Sequence, residues 1–368
     1  MTLLKKVTGV VLLLLVIALF ALALALSHNS ACGPAPAVPA NAALMKAIVY
    51  RCYGPPEVLK LESIAKPPLA DDQVLVRVQA ASVNPLDWHY MRGTPYLVRL
   101  DTGIGRPKDP RIGVDFAGTV EAVGRSVTRF KAGDEVFGGR DGAFAEYVTI
   151  REERALALKP ADVSFAQAAA VPIAGITALQ ALRDKGHVQR GEKVLVNGAS
   201  GGVGTFAVQI AKSFGAEVTG VCSTRNMEMV RALGADHVID YTRQDFTRGT
   251  EHYDVIVDNV SSHSLAEYRR VLNPNGVYVL VGGTATGEWL GFLIAPLEAL
   301  VLSKFVSQKF EPFLADLNGT DLAYLADLMH EGKLTPVIDR TYTLSELPAA
   351  MRYVEAGHAR GKVVISVP

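Results

Sequence analysis

The chain has 368 residues, with 37 Lys plus Arg balanced by 37 Asp plus Glu. That length exceeds one ordinary core and predicts about two folded domains, while a formal charge of zero offers a polyanion nothing to bind, so no nucleic-acid partner is expected. Three cysteines, Cys32, Cys52 and Cys222, lie far apart; they predict neither a disulfide framework nor a four-cysteine zinc module, and the folded part reads as a reduced-type enzyme.

In chain order, Lys5 and Lys6 precede an uncharged run from Val7 to Leu26 built mostly of Leu, Val and Ala. A bilayer-spanning helix needs roughly 20 apolar residues, and a cleaved signal carries about 7–15. The expectation is a retained, single N-terminal transmembrane helix and a membrane-associated enzyme. The competing reading is a cleaved signal and a secreted or periplasmic product, since Ala35-Pro36-Ala37 has the A-x-A spacing. Lipid attachment at Cys32 is disfavoured by the polar residues before it. The two lysines would put the folded part across the membrane, away from most nicotinamide cofactor. Ser27–Ala43, rich in Ala and Pro, reads as a tether, so residues 1–44 stand apart and the fold begins near Met45.

From Lys46 to about Leu158, short alternating or β-branched runs separated by Gly, Pro and Asp predict an irregular, mostly β domain. These runs are Ala47–Tyr50, Gln73–Val78, Gly113–Val123, Glu135–Gly138 and Ala143–Ile150. From about Ser164 the apolar segments Val194–Val196, Val218–Val221, Val238–Ile239, Val255–Val257 and Val277–Val281 alternate with helix-length stretches. That alternation predicts a doubly wound parallel sheet. Near Val337 the texture reverts, with a strand over Val337–Thr343, a helix over Leu347–Ala356 and a closing strand over Lys362–Val367. The expected division is residues 1–44, a nucleotide-binding domain over 164–333, and a mostly β domain made of 45–163 and 334–368.

Lys193–Asn197 leads into Gly198-Ala199-Ser200-Gly201-Gly202-Val203-Gly204, and a helical pattern follows. A dinucleotide needs this order: Gly201 lets backbone approach the pyrophosphate, Gly204 lets helix and strand pack closely, and the helix start offers free N–H groups. At the end of the next strand, an acid would hold a ribose 2′-hydroxyl. None is there. Ser223 and Arg225 stand where a 2′-phosphate would sit, so NADP(H) is the expected cofactor; the alternative is that Arg225 is a solvated loop residue. No Cys or His cluster has ligand spacing. His89, in Asp87-Trp88-His89, is weighed and set aside, and no metal is expected.

Several segments together resemble the medium-chain dehydrogenase/reductase superfamily, and within it the zinc-free quinone oxidoreductase-like branch. They are Ala47-Ile48-Val49-Tyr50, Tyr53-Gly54-Pro55-Pro56-Glu57-Val58-Leu59, Ser82-Val83-Asn84-Pro85-Leu86-Asp87, Gly113-Val114-Asp115-Phe116-Ala117-Gly118, the glycine turn, and Gly234-Ala235-Asp236 through Asp240-Tyr241. The resemblance runs from about Met45 to Pro368. It implies a GroES-like catalytic domain built from both chain ends with a Rossmann domain between, and a homodimer by analogy. Zinc-dependent relatives carry Gly-His-Glu where this chain has Gly113-Val114-Asp115, and a Cys near Asn84. The resemblance further implies that Asn84 and Thr177 lie near the nicotinamide and its ribose, Tyr241 near the adenosine end, Gly282 and Gly283 beside the carboxamide, and Lys362 on the returning tail.

The function expected from these readings is zinc-independent, NADP(H)-dependent hydride transfer to a small molecule, a quinone or an α,β-unsaturated carbonyl compound. A donor near the carbonyl oxygen would stabilise developing enolate charge; Asn84 is the first candidate and Tyr53 the second. The alternative is an NADPH-binding, membrane-associated scaffold or sensor with little turnover.

Overall fold

The β-branched run after Gln73 grows into one long strand around which the first half of the chain is built. The computed structural model describes residues 2–35, 37–282 and 287–368. Strands β1 (Leu44–Val49) and β2 (Lys60–Ala65) pair antiparallel as a separate ribbon. Next come β3 (Gln73–Val83), β4 (Asp115–Val123), β5 (Glu135–Gly139), β6 (Tyr147–Arg151) and β7 (Leu156–Leu158). Strand β3 pairs antiparallel with both β4 and β6. Its Val74, Val76 and Val78 join Phe116, Phe144 and Val148 in one apolar core.

Strands β8 (Lys193–Asn197), β9 (Glu217–Cys222), β10 (His237–Asp240), β11 (Tyr253–Asp258), β12 (Leu272–Leu280) and β13 (Lys309–Pro312) make a second sheet in the order β10-β9-β8-β11-β12-β13. All its pairings are parallel. Central strands β8 and β11 are buried along consecutive residues, Val194-Leu195-Val196 and Val255-Ile256-Val257, because helices cover both faces of such a sheet. Strand β13 was not expected from the sequence. Lys309-Phe310-Glu311-Pro312 has no β-branched residue, and its Pro is tolerated because the strand lies at the sheet edge.

The tail returns to the first sheet as β14 (Ile338–Thr343) and β15 (Lys362–Ser366), with β15 antiparallel to β3 so that Val363 faces Val83. This pairing carries Lys362 to the end of β3, next to Asn84.

The N-terminus departs from expectation in three ways. Thr2–Ser27 forms helix α1, but among the described residues no helix is long and apolar enough to cross a membrane. The expected transmembrane anchor, and the membrane-associated location and membrane contact drawn from it, are corrected accordingly. The last turn of α1 belongs to the folded body instead: Leu26 is buried, and the buried Arg99 guanidinium donates to Leu26 O at 2.7 Å and His28 O at 3.0 Å. A cation on the last carbonyls of a helix is favoured there.

The stretch expected to be a free tether is docked, with Ser30 N donating to Gly105 O (2.9 Å) and Gly33 N to Arg51 O (3.2 Å). That docking brings Cys32 and Cys52 together as a disulfide, with Cα atoms 4.5 Å apart, against the expectation of none. Nineteen intervening residues hide a pair that only the fold-back creates. Cys222 is free and buried.

Candidate active site

Strand β8 delivers the chain into Gly198, whose φ of +76° a side chain would strain. Ala199 is buried, its N–H bonded to Val221 O (3.0 Å), and Gly201 caps the helix Gly202–Ser213. A Cβ on Gly204 would lie 2.1 Å from Gly198 O, so no other residue fits that contact; a Cβ on Gly201 would meet nothing nearer than 3.5 Å. Gly204 therefore serves packing, and Gly201 borders open space. Gly198, Ser200, Gly201, Gly202, Val203 and Gly204 all line a cleft of about 670 Å³.

The cleft fits a dinucleotide on two counts. The first N–H groups of the helix Gly202–Ser213 have no partners within the helix, which suits a diphosphate. Two buried acceptors on the wall, Asn226 Oδ1 and Asn259 Oδ1, have no hydrogen-bond partner among the described residues. Ser223, Arg225 and Tyr241 border the cleft and, with Thr224 and His358, a side pocket of about 340 Å³. Arg225 Nη2 donates to His358 O at 3.1 Å, so the guanidinium is tied to the returning tail. Asp240 lies close by, but its carboxylate is occupied by Thr224 and by Thr242.

At the other end of the cleft, strand β3 runs out at Val83, and Asn84 precedes helix α2 (Pro85–Arg92). Its backbone N–H donates to Asp87 Oδ2 at 2.7 Å. The Asn84 side chain is committed to buried partners. Its Nδ2 donates to Asp115 Oδ2 (2.9 Å), and its Oδ1 accepts from Lys362 Nζ. Lys362 Nζ also lies 3.3 Å from Asp115 Oδ2 and from Val83 O. Asp115 accepts in addition from Ser82 Oγ (3.0 Å) and Ile173 N (3.0 Å). Asn84, Asp115 and Lys362 are 1%, 0% and 3% exposed, so an opposite-charge pair is held dry at the cleft wall, each member hydrogen-bonded as burial demands. Beside them Asp87 is buried, and burial, reinforced by the nearby Asp115 charge, pushes its carboxyl up to about 8.

The remaining sequence candidates lie elsewhere. Tyr53 is not brought to this cluster: its hydroxyl is bonded to Thr102 Oγ1 and Gly103 O, both at 2.7 Å, and its ring faces the Arg99 guanidinium. Thr177 Oγ1 is turned back onto Ile173 O (2.7 Å), while Ile173 and Ala174 line the cleft. Gly282 follows β12, with its N–H bonded to Asp258 O (3.2 Å). Gly283 lies outside the described residues. Asp115, Ser82, Asp87 and His358 were not assigned roles from sequence; the only signal was Asp115 standing where zinc-dependent relatives carry an acid.

Residues 70–161 match the model of the alcohol dehydrogenase GroES-like domain, and residues 233–365 that of a zinc-binding dehydrogenase domain. The chain is 36% identical to 2-methylene-furan-3-one reductase of Solanum lycopersicum, covering 87% of this chain and 79% of that protein. The chain belongs to the medium-chain dehydrogenase/reductase superfamily, in its quinone oxidoreductase-like branch.

Other members are as similar. The chloroplastic NADPH-dependent alkenal/one oxidoreductase of Arabidopsis thaliana is 35% identical, over 87% of this chain and 79% of that one. The solved quinone oxidoreductase from Coxiella burnetii superposes with a TM-score of 0.77 at 32% identity, covering 89% of this chain and all of that one. This family member is an NADP-dependent oxidoreductase, which sets aside the scaffold or sensor alternative. Although one matched domain is described as zinc-binding, among the described residues no three His, Cys, Asp or Glu side chains gather as a metal site.

Proposed function

We propose that the enzyme is a zinc-independent reductase that passes hydride from NADPH to a quinone or to the β-carbon of an α,β-unsaturated carbonyl compound. The observation that carries this reading is the buried Asn84–Asp115–Lys362 cluster, whose Asn84 and Lys362 line the cofactor cleft. The names of the tomato, Arabidopsis and Coxiella relatives, all reductases or oxidoreductases of such acceptors, support it.

Bound NADPH supplies the hydride; the chain's own residues orient the acceptor and stabilise charge. The Lys362 ammonium spends its donors on Asn84 Oδ1, Val83 O and Asp115. It acts as a fixed positive charge and determines which end of the Asn84 amide faces Asp115. One Asn84 Nδ2 hydrogen goes to Asp115, and the amide has two. The second makes no hydrogen bond among the described residues, and in this reading it meets the acceptor's carbonyl oxygen as negative charge grows on it. A preorganised donor in a dry site is the arrangement that favours an oxyanion. Asp115 keeps the Lys362 charge affordable at that depth, and Ser82 and Ile173 N hold Asp115 in place.

The test is steady-state oxidation of NADPH and NADH by the purified chain over a panel of 1,2-naphthoquinone, other quinones and enones, before and after dialysis against a chelator. The expected result is turnover with NADPH preferred and no loss on chelation. Absence of turnover across the panel overturns the acceptor assignment; loss restored by added zinc overturns the metal-free one.

A further inference from the structure

A second cavity, of about 530 Å³, opens where β5 ends and shares no lining residue with the cofactor cleft. Arg111, Arg140, Arg151 and Arg154 line it, against the carboxylates Asp109 and Asp141. Two of the arginines have acidic partners: Arg111 Nη2 sits 2.7 Å from Asp109 Oδ2, and Arg151 Nε sits 3.1 Å from Asp72 Oδ2. Arg140 and Arg154 have no ion pair among the described residues. Arg140 is half-buried, and its Nη1 is bonded to the Thr149 carbonyl, which satisfies a hydrogen but not a charge.

Burial, and then repulsion by Arg111, makes the charged form of Arg140 costlier than usual. Like charges gathered at a concave, partly dry surface repel one another, and their common solution is an anion between them. The cavity also lies close to the chemistry. Arg140 N donates to Val114 O at 2.8 Å, and Gly139 pairs with Asp115 across β4 and β5. Leu317, from the half that carries the parallel sheet, forms part of the wall.

We propose that this cavity binds a carboxylate or phosphate group, clasped by Arg140 and Arg154 with Arg111 beside them. A guanidinium matches either group with two parallel N–H···O bonds. The group comes either from a free small anion or from the acidic end of the acceptor itself; the second source rests on the hydride-transfer reading above, the first does not.

The deciding experiment titrates inorganic phosphate into the full chain saturated with NADPH, by calorimetry and by melting temperature, with sodium chloride at matched ionic strength as the control. The same titration is run on Arg140→Gln, Arg154→Gln and the double variant. Saturable phosphate binding that weakens by at least about tenfold in the double variant, with NADPH affinity unchanged, supports the site and a free anion as its source. Kinetics with 3-benzoylacrylate and its methyl ester read the other source. There the KM for the acid rises about tenfold in the double variant and that for the ester stays put. Phosphate binding that is absent or equal in all four proteins, together with equal KM changes for acid and ester, overturns the proposal. If neither acceptor is turned over, the acceptor reading fails while the phosphate titration still decides the site.

Discussion

Asn84 is held at both ends of its amide, by Lys362 at Oδ1 and by Asp115 at Nδ2, so the amide is fixed in orientation, as the proposed role in meeting an acceptor requires. Asn84→Ala is expected to lower kcat/KM by roughly 10²-fold, the loss typical of one oxyanion donor, with the NADPH Kd unchanged. A variant that keeps its kcat/KM removes Asn84 from the reaction. Asp87 gives a second prediction at this scale, because its folded carboxyl is pushed up to about 8 while an unfolded one titrates near 3.9. Between those values the folded state keeps a proton that the unfolded state has released. Stability from this group is therefore full below about pH 4 and declines as pH rises toward 8, by about 2 kcal/mol between pH 6 and 8. Asp87→Asn still offers Asn84 N an oxygen and has no proton to lose. Urea melts at pH 6 and pH 8 should show a smaller decline in the variant; equal declines would refute the assignment.

The turn after β8 divides its work between two glycines. Gly201 has open space where a side chain would go, and Gly204 has Gly198 O at 2.1 Å from its would-be Cβ. Gly201→Leu is accordingly expected to fold with a near-normal melting temperature and to lose NADPH affinity by about 10²-fold or more, because the side chain would fill the space bordering the helix-start amides expected to hold the diphosphate. Gly204→Ala is expected to cost about 1–3 kcal/mol of stability by overpacking the helix against the strand. Fluorescence titration of NADPH paired with thermal melts separates the two effects, and the idea fails if both variants behave alike. Strand β15 shows the same division of labour between elements. Its pairing with β3 brings Lys362 to Asn84 across 278 positions of chain, so the cluster exists only when the tail is in place.

Over the whole molecule, the stretch from Leu26 to Cys32 is fastened to the body, while the apolar residues of α1 before it, such as Leu12, Phe20 and Leu24, stay exposed. Arg99 holds the last carbonyls of α1, and the Cys32–Cys52 bridge closes a loop of 20 positions. Cys52→Ser, or a thiol reductant, should lower the unfolding free energy by about 3 kcal/mol on the loop-closure account while leaving NADPH affinity alone. Calorimetric melts with and without reductant measure this, and superimposable curves would show that the bridge adds nothing.

Local patterns along the chain were enough to determine the parallel sheet, the glycine turn and the choice of NADP, because strand alternation, closely spaced glycines and a missing acid act within about 20 residues of one another. The texture change and its reversal likewise announced a tail returning to the first sheet. Tertiary structure alone decided the rest. It gathered Ser82, Asn84, Asp115, Ile173 N and Lys362 into one buried cluster, and spent the Tyr53 hydroxyl on Thr102 and Gly103. It also folded Cys32 onto Cys52, and it packed the end of an apolar N-terminal run against the protein itself. Each of these depends on which distant segments become neighbours, and that is set by strand pairing and burial across the molecule, which no window of sequence contains.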